Sequence, residues 1–342
     1  MLFLALVLSA QLSPGDPGVR YQQPQLAAAG DTVAVAFGAG GAVYVSVSGD
    51  GGQSFAAPVL LPGVGSLALG RRRGPRVALT DSGLAVSAIG GDAGDLLAWN
   101  SKDGGKTWSA GVRINDVEGS AREGLHAMAS GGNGQLYAAW LDLRGNGTRL
   151  YGAASLDGGA TWSKNVLVYQ SQGGTICECC HPSLAIDGKG VIHAMWRNVS
   201  AGNRDMYLSS SRDGGRTWSS ARKLGNGNWT LNACPMDGGG LSIDREGGPV
   251  TVWRRQRTLF EARPGNPERQ LGQGRDPAVA ATRRGTFAAW TSAEGVAALT
   301  PSKLEPVVLD PSGTYVQLIA RRDGSVLAAW ESGDNLSFAI LE

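Results

Sequence analysis

The sequence predicts an all-β protein built from repeated four-stranded units. Three observations support this prediction: a turn motif recurs four times, short apolar strands recur in pairs between the copies, and no long segment has the apolar period of an amphipathic helix. The 342 residues include 52 glycines. That content suits a chain with many tight turns, because glycine adopts positive φ without a steric penalty.

The repeated motif reads Ser-x-Asp-Gly-Gly-x-Ser/Thr-aromatic. Its copies are Ser48–Phe55, Ser101–Trp108, Ser155–Trp162 and Ser211–Trp218, and their aspartates lie 53, 54 and 56 residues apart. The Asp carboxylate can accept N–H bonds within a tight turn, and the two glycines supply positive φ. Each copy therefore predicts a hairpin turn between two strands, and we interpret these aspartates as structural rather than catalytic.

Strand pairs precede the turns and continue beyond the last copy. The second strands of these pairs are predicted at Val33–Phe37, Leu84–Ile89, Leu136–Trp140, Val191–Trp196, Pro249–Trp253, Thr286–Trp290 and Ser325–Trp330. We count seven units, with six as the alternative, and they begin near Pro24, Pro75, Leu125, Pro182, Pro235, Pro277 and Tyr315. Four short strands per unit, repeated around an axis, are typical of a β-propeller. The last unit stops after its third strand, and Val19–Gln22 is predicted to supply the missing outer strand.

The N-terminus begins with the apolar stretch Met1–Ala10, followed by the polar, Pro- and Gly-rich segment Gln11–Gly18. This pattern is typical of a secretory signal peptide cleaved near Ala10, although a basic first region is missing. We therefore predict a signal peptide and short linker over 1–18 and a single propeller domain over 19–342. The protein would be exported, either to the periplasm or outside the cell. A first strand is the alternative for the apolar stretch.

The charge pattern excludes two classes of partner and favours a third. The net charge is +2, which gives no general field for nucleic acid, and the basic stretches lack interleaved aromatic residues for base stacking. No apolar run is long enough for an integral membrane helix. Many arginines fall in loops that a propeller gathers on one face. Guanidinium groups bind planar anions bidentately, so this face is predicted to bind an anionic ligand. The alternative is a solvated loop surface.

The turn motif is that of the Asp-box, or BNR, repeat, and the chain resembles the sialidase superfamily over nearly its whole predicted domain. The segment Gly313–Glu331 resembles the part of that family that holds a nucleophilic tyrosine and a glutamate that steadies an arginine. The resemblance implies a monomeric exo-glycosidase that acts on terminal sialic acid or a related acidic sugar of a glycan.

The resemblance also implies roles for individual residues. Tyr315 would be the nucleophile, Asp92 the acid and Glu331 the support of an arginine. The substrate carboxylate would be bound by Arg73, by Arg254 or Arg255, and by Arg275. Three departures from the family are visible. The Arg-x-Pro motif of Arg73 stands in the second unit instead of the first, and Cys234–Asp237 replaces the glutamate that activates the tyrosine. The seven units counted here are one more than is usual in that family.

The four cysteines are Cys177, Cys179, Cys180 and Cys234. They precede the first strands of two adjacent units, so we expect the thiols to lie near one another. Three interpretations are open. They are a disulfide staple such as Cys180–Cys234, a copper or zinc site with His181 as a further ligand, and a c-type haem on Cys177-x-x-Cys180-His181. The alternative function is a non-catalytic propeller that binds a ligand or partner and uses this cluster as a staple or metal site.

Overall fold

The computed structural model describes residues 8–342, which form seven four-stranded antiparallel sheets. The innermost strands are β2 (Gln22–Ala29), β6 (Arg76–Thr80), β10 (His126–Ser130), β14 (Ser183–Ile186), β18 (Gly240–Ile243), β22 (Arg275–Thr282) and β26 (Thr314–Ala320). The second strands are β3 (Thr32–Ala39), β7 (Gly83–Gly90), β11 (Leu136–Asp142), β15 (Ile192–Arg197), β19 (Pro249–Arg255), β23 (Gly285–Ser292) and β27 (Val326–Ser332). The third strands are β4 (Ala42–Ser48), β8 (Asp95–Ser101), β12 (Arg149–Ser155), β16 (Met206–Ser211), β20 (Thr258–Ala262), β24 (Gly295–Leu299) and β28 (Asn335–Leu341). The outermost strands are β5 (Val59–Leu60), β9 (Val112–Arg113), β13 (Val166–Tyr169), β17 (Arg222–Lys223), β21 (Arg269–Gln273), β25 (Val307–Asp310) and, in the last blade, β1 (Leu8–Leu12).

The sheets close into a ring of seven blades, which confirms the predicted fold class and blade count. Each innermost strand contacts those of its neighbours, and β2 of the first blade contacts β26 of the last. The described residues contain no helix, and hence none that could cross a membrane.

The strand that closes the ring differs from the prediction. Val19–Gln22 was expected to complete the last blade, but β1 does so, and Leu12 of β1 pairs with Leu336 of β28. The physical reason is that Tyr21 packs against Phe37 of the first blade, with ring centroids 4.4 Å apart. The predicted cleavage near Ala10 falls inside β1, while residues 1–7 of the predicted signal peptide lie outside the described residues. Export stays a prediction.

Adjacent blades pack face to face, so their middle strands are buried on both sides. All seven residues of β11 are buried, which explains why such strands read as continuous apolar runs instead of alternating ones. The largest fully buried side chains are tryptophans. Trp140, Trp196, Trp290 and Trp330 lie near the ends of second strands, at nearly equivalent positions of different blades, and Trp99 lies in the third strand β8. The core is therefore a series of blade–blade interfaces around the axis.

The four Asp motifs form the predicted turns between third and fourth strands. In the copy at Ser101–Trp108, Asp103 accepts bonds from Thr107 N at 2.9 Å and Thr107 Oγ1 at 2.6 Å, and Ser101 Oγ donates to it at 2.9 Å. Gly104 and Gly105 have φ of +75° and +87°. These carboxylates are occupied by the turn itself, which confirms their structural role.

The innermost strands surround a central channel. A cavity of about 270 Å³ on the axis is lined by residues from all seven innermost strands or from the turns that precede them. The connections that lead into these strands lie at one end of the channel, opposite to the Asp turns. This geometry places the predicted site residues at one mouth.

Candidate functional site

The channel mouth is the end of the channel at which the chain runs into the innermost strands. Five non-glycine residues there have left-handed backbone: Gln23 (φ 55°), Arg72 (61°), Met236 (54°), Asp276 (54°) and Tyr315 (54°). Such a conformation costs about 1–3 kcal/mol per residue and persists only where surrounding contacts fix it. At Gln23, Asp276 and Tyr315 the strand pairing also shifts by a bulge. Strain concentrated at one place marks the mouth as the candidate functional site.

Tyr315 faces two arginines of the second blade across the mouth. Arg71 Nε donates to the Tyr315 hydroxyl at 3.4 Å, and the guanidinium carbon of Arg72 lies 5.8 Å from the centre of the tyrosine ring. The structure thus places the predicted nucleophile in an electropositive setting.

Two buried carboxylates join the blades around this tyrosine. Asp276 lies 3.4 Å from Arg72 Nε, and its main-chain oxygen accepts from Arg72 Nη2 at 2.5 Å. Asp237 accepts from Arg254 Nε at 2.9 Å and from the main-chain N–H of Asp276 at 3.0 Å. One network therefore connects the second, fifth and sixth blades.

The two carboxylates have opposite pKa shifts. Burial opposes ionisation of Asp237, but Arg254 and Arg197 outweigh it and hold the pKa of Asp237 below its ordinary value. Burial raises the pKa of Asp276, and repulsion from Asp237 adds to this against the attraction of Arg72. Asp276 is therefore the first of this pair to take up a proton as the pH falls.

Of the four predicted substrate arginines, Arg254 and Arg275 lie at the mouth, whereas Arg255 and Arg73 are directed away from it. Arg254 is fixed by Asp237, and the side chain of Arg275 is 45% exposed with its Nε 3.8 Å from Asp276 Oδ2. Arg255 points to the outer part of the blade, where it pairs with Glu268 at 2.5 Å. Successive residues of a strand face opposite sides, so Arg254 and Arg255 cannot serve the same site.

Arg73 is turned away from the tyrosine, contrary to its predicted role. Its Nε donates to the main-chain oxygen of Glu123 in the third blade at 2.7 Å. The left-handed backbone at Arg72 redirects the chain, so that Arg71 and Arg72 face the mouth while Arg73 leaves it. Asp92 is exposed in the connection between β7 and β8, and its proposed role as the acid stays a prediction.

Glu331 does support an arginine, but one that the sequence analysis did not identify. The buried Glu331 carboxylate accepts from Gln23 N at 2.8 Å and from Arg20 Nη2 at 3.2 Å. Burial raises the pKa of Glu331 against these contacts. Arg20 thus takes the place that the resemblance would give to an arginine of the first blade.

Three cysteine side chains form a second feature beside the mouth, here called the thiol cluster: Cys177, Cys179 and Cys180. Their sulfur atoms all lie within 4.8 Å of one another, with Cys177 Sγ 3.8 Å from Cys179 Sγ and 3.3 Å from Cys180 Sγ. Arg204 Nη1 donates to Cys177 Sγ at 3.2 Å. Bonds from the two neighbouring thiols, together with the charge of Arg197 and the bond from Arg204, lower the pKa of Cys177 strongly against the effect of burial.

The thiol cluster touches the mouth network through one bond. The main-chain N–H of Asp237 donates to Cys180 Sγ at 3.4 Å. All four cysteines are free, and Cys180 Sγ lies 3.3 Å from Cys177 Sγ. The Cys180–Cys234 staple considered from the sequence is therefore not the arrangement found.

His181 does not join the thiols. Its Nε2 lies 3.0 Å from the Gly239 main-chain oxygen, and its buried Nδ1 has no hydrogen-bond partner. Burial lowers the pKa of His181 to about 3, so the ring is neutral. With His181 directed elsewhere, the arrangement favours neither its predicted role as a ligand nor the haem interpretation.

Four important residues were not singled out from the sequence: Arg20, Arg71, Arg72 and Arg197. Arg71 and Arg72 belong to a basic stretch of three arginines, but the sequence alone does not show which of the three side chains faces the channel mouth. Arg197 ends a buried strand, and a charged residue after an apolar run was a usable signal. Arg197 is 1% exposed and its guanidinium bonds only to main-chain oxygens of Asp237, Arg204 and Arg254.

Comparison with known proteins agrees with the repeat and the fold. A family model described as a BNR repeat-like domain matches residues 83–243. A search of curated protein sequences found no match.

Solved structures of several enzymes share the architecture. An α-L-arabinanase from Penicillium chrysogenum, solved with arabinobiose, is 14% identical with a TM-score of 0.57, over 97% of this chain and 98% of that one. A Hadza microbial sialidase is 16% identical with a TM-score of 0.53, over 94% of this chain and 66% of that one. An inactive variant of virginiamycin B lyase from Staphylococcus aureus is 11% identical with a TM-score of 0.59, over 97% and 98%. At these identities the likeness concerns the fold.

Proposed function

We propose that the channel mouth of this seven-bladed propeller binds the carboxylate of an acidic sugar and that the protein cleaves glycosides of that sugar. The match of residues 83–243 to a BNR repeat-like domain supports the proposal. The observation that carries the proposal is the convergence of Arg71, Arg72 and Arg275 with Tyr315 at one strained site. An exported protein acting on glycans outside the cytoplasm is the setting that the sequence predicts.

The charges at the mouth support anion binding. Arg71 makes no ion pair with a carboxylate among the described residues, and Arg275 has only Asp276 at 3.8 Å. Guanidinium groups that lack a close carboxylate can bind one from a ligand, in a bidentate geometry. Arg72 and Arg254 are already held by Asp276 and Asp237, so we assign them to positioning and Arg71 and Arg275 to the ligand.

Tyr315 would attack the anomeric carbon of the bound sugar. Its oxygen would form the new bond to that carbon while the bond to the leaving group breaks, the phenolic proton would pass to a base, and an acid would protonate the leaving oxygen. Water would then attack the same carbon, the bond to the Tyr315 oxygen would break, and that oxygen would take up a proton as the free sugar leaves. A neutral nucleophile suits an anionic substrate because it avoids repulsion from the sugar's own carboxylate. Arg71, at 3.4 Å from the hydroxyl, would stabilise the phenolate that develops.

One observation favours a second candidate, a propeller that binds an acidic ligand without cleaving it. Among residues 8–342, no carboxylate oxygen hydrogen-bonds to the Tyr315 hydroxyl, whose contact is with Arg71. Activation of the tyrosine would then require a base that reaches it through water or when substrate binds. The two candidates share the binding step and differ in turnover.

The experiment separates those steps. Purified protein is assayed against fluorogenic glycosides of sialic acid and of uronic acids, with neutral glycosides as controls, and binding of the free acidic sugars is measured by calorimetry. We expect turnover of one acidic glycoside and a loss of about 10³-fold in Tyr315→Phe, with binding retained. Tyr44→Phe, a half-buried tyrosine away from the mouth, is the matched control. Binding without turnover would support the second candidate, and absence of both would refute the proposal.

A further inference from the structure

A second site lies beside the mouth and is independent of the glycosidase proposal. We propose that Cys177, Cys179, Cys180 and Cys234 form a binding site for a thiophilic metal ion, Zn²⁺ or Cu(I). Thiolate sulfur is the ligand that selects these two ions over harder cations.

The spacing of the sulfurs fits such an ion. A metal–sulfur bond of about 2.3 Å separates the sulfurs of a tetrahedral site by about 3.8 Å. Cys177 Sγ lies 3.8 Å from Cys179 Sγ and 3.3 Å from Cys180 Sγ, and all three sulfurs fall within 4.8 Å. Small side-chain rotations would bring them to a common centre.

Cys234 is placed to complete the set. It comes from the connection that leads into the next blade and lies beside Cys179, just outside the group of three sulfurs that lie within 4.8 Å of one another. It is exposed, whereas Cys177 and Cys180 are buried. An ion could therefore reach the thiol cluster from the solvent side and be closed in by Cys234.

The charge around the cluster gives an independent reason for anionic ligands there. Arg204 and Arg197 lie beside the thiol cluster, and Arg197 and Arg254 lie beside Asp237. Of the three only Arg254 makes an ion pair with a carboxylate in the described part of the chain. Three guanidinium charges thus face one carboxylate charge. A buried charge without a counter-charge is costly, and Arg197 is 1% exposed.

The proposed complexes would balance this excess. Zn²⁺ with four thiolates and Cu(I) with three thiolates each carry a net charge of −2, which equals the surplus on the three arginines after Asp237 is counted. Arg204 already donates to Cys177 Sγ at 3.2 Å. An outer hydrogen bond of this kind orients a ligand and tunes its affinity for the metal.

The test uses the full chain, reduced and kept free of oxygen. Zn²⁺ and Cu(I) are each titrated in competition with a chromophoric chelator, bound metal is counted by mass spectrometry, and thiolate-to-metal absorption is recorded. We expect one ion per chain and at least a tenfold loss of affinity for either ion in Cys179→Ser, which changes a half-buried residue. His181→Gln, which keeps a donor for the Gly239 oxygen, should bind as the native protein does.

Cys234→Ser distinguishes the two ions. A four-thiolate zinc site would lose at least tenfold in affinity, whereas a three-thiolate Cu(I) site would be unchanged. Thermal melts of each variant check folding, and Cys234 is exposed, so its variant should fold. The proposal is overturned if the reduced, folded native protein binds neither ion stoichiometrically, or if Cys179→Ser binds both ions as tightly as native protein. Neither result depends on glycoside turnover.

Discussion

On the face with the Asp turns, four blades repeat the same hydrogen bonds with the same residue types: Ser48–Phe55, Ser101–Trp108, Ser155–Trp162 and Ser211–Trp218. At the channel mouth, each blade contributes something different, including an arginine run, a cysteine cluster and a tyrosine. In the four Asp turns positive φ is carried by glycines, whereas at the mouth five residues with side chains also carry it. Repeated turns with unstrained backbone are typical of a structural scaffold. Residues that differ from blade to blade and have strained backbone are typical of a functional site.

The largest effect is expected at Asp237 of the mouth network. Its carboxylate accepts hydrogen bonds from Arg254 and from the main-chain N–H of Asp276. Asp237→Asn removes the carboxylate charge while keeping the shape. Leaving buried arginine charge uncompensated should lower the free energy of unfolding by about 3–5 kcal/mol. Urea unfolding measures this, with the exposed Asp334→Asn as a control near zero. If Asp237→Asn lowers the free energy of unfolding by less than the substitution of a turn aspartate does, the central role of Asp237 is refuted.

The next largest effect is expected at Arg71, on ligand affinity. Arg71→Gln removes the guanidinium group beside Tyr315 and should weaken binding of the acidic sugar about 100-fold, which corresponds to about 2.7 kcal/mol. Arg216→Gln changes an exposed arginine of a turn and should have no effect. Calorimetry on both variants gives the comparison. Equal affinities would remove Arg71 from the site.

On the turn face, removing one carboxylate should have a smaller effect that is confined to stability. Asp157→Ala breaks bonds to Thr161 N at 2.9 Å and Thr161 Oγ1 at 2.6 Å, and should cost about 1–2 kcal/mol. Leu156→Ala, at an exposed neighbour, is the matched control. Ligand affinity should be unchanged in both, and a change in Asp157→Ala would contradict the separation of scaffold and site.

The smallest expected effect is on how the free energy of unfolding changes with pH. The contribution of Asp103 in a turn and that of Glu331 at the mouth should have opposite signs. Bonds from Thr107 and Ser101 lower the pKa of Asp103 to about 2, so its stabilisation is present above its unfolded pKa of about 3.9 and is lost as the pH falls towards 2. Burial raises the pKa of Glu331, so its contribution to stability falls as the pH rises through that raised value.

Unfolding free energies measured from pH 2 to pH 7 test both signs. Asp103→Asn should flatten the profile below about pH 4, and Glu331→Gln should flatten it above about pH 4.3. If both substitutions changed the slope of the unfolding free energy against pH in the same direction, the contrast between the two faces would be contradicted.

The fold could be predicted from the sequence because the blades of a propeller recur at a regular spacing along the chain. The Asp motif marked four blades, and the strands ending at Trp253, Trp290 and Trp330 marked the last three. Tyr315, Arg254 and Arg275 lie at the channel mouth, because loops that occupy equivalent positions in a ring must meet at its axis, and their functional roles stay predictions.

The finer assignments failed where local geometry decides. The sequence chose Arg73, but the left-handed backbone at Arg72 sends Arg73 to the third blade. The sequence alone did not distinguish Arg254 from Arg255 as the substrate arginine. The pleat of β19 places their side chains on opposite sides of the sheet. The partner of Glu331, Arg20, lies far from it in the chain, and no pattern within either segment links them.

The pairing of β1 with β28 has a consequence for how the protein is made. Leu12 pairs with Leu336, so β1 has no partner strand until a segment more than 300 residues later in the chain has been synthesised. Contacts between such distant segments make folding slow and leave an unpaired sheet edge open to other chains in the meantime. Closure of the ring is therefore a late step of folding, and a chaperone that covers the nascent edge should raise the yield of native protein.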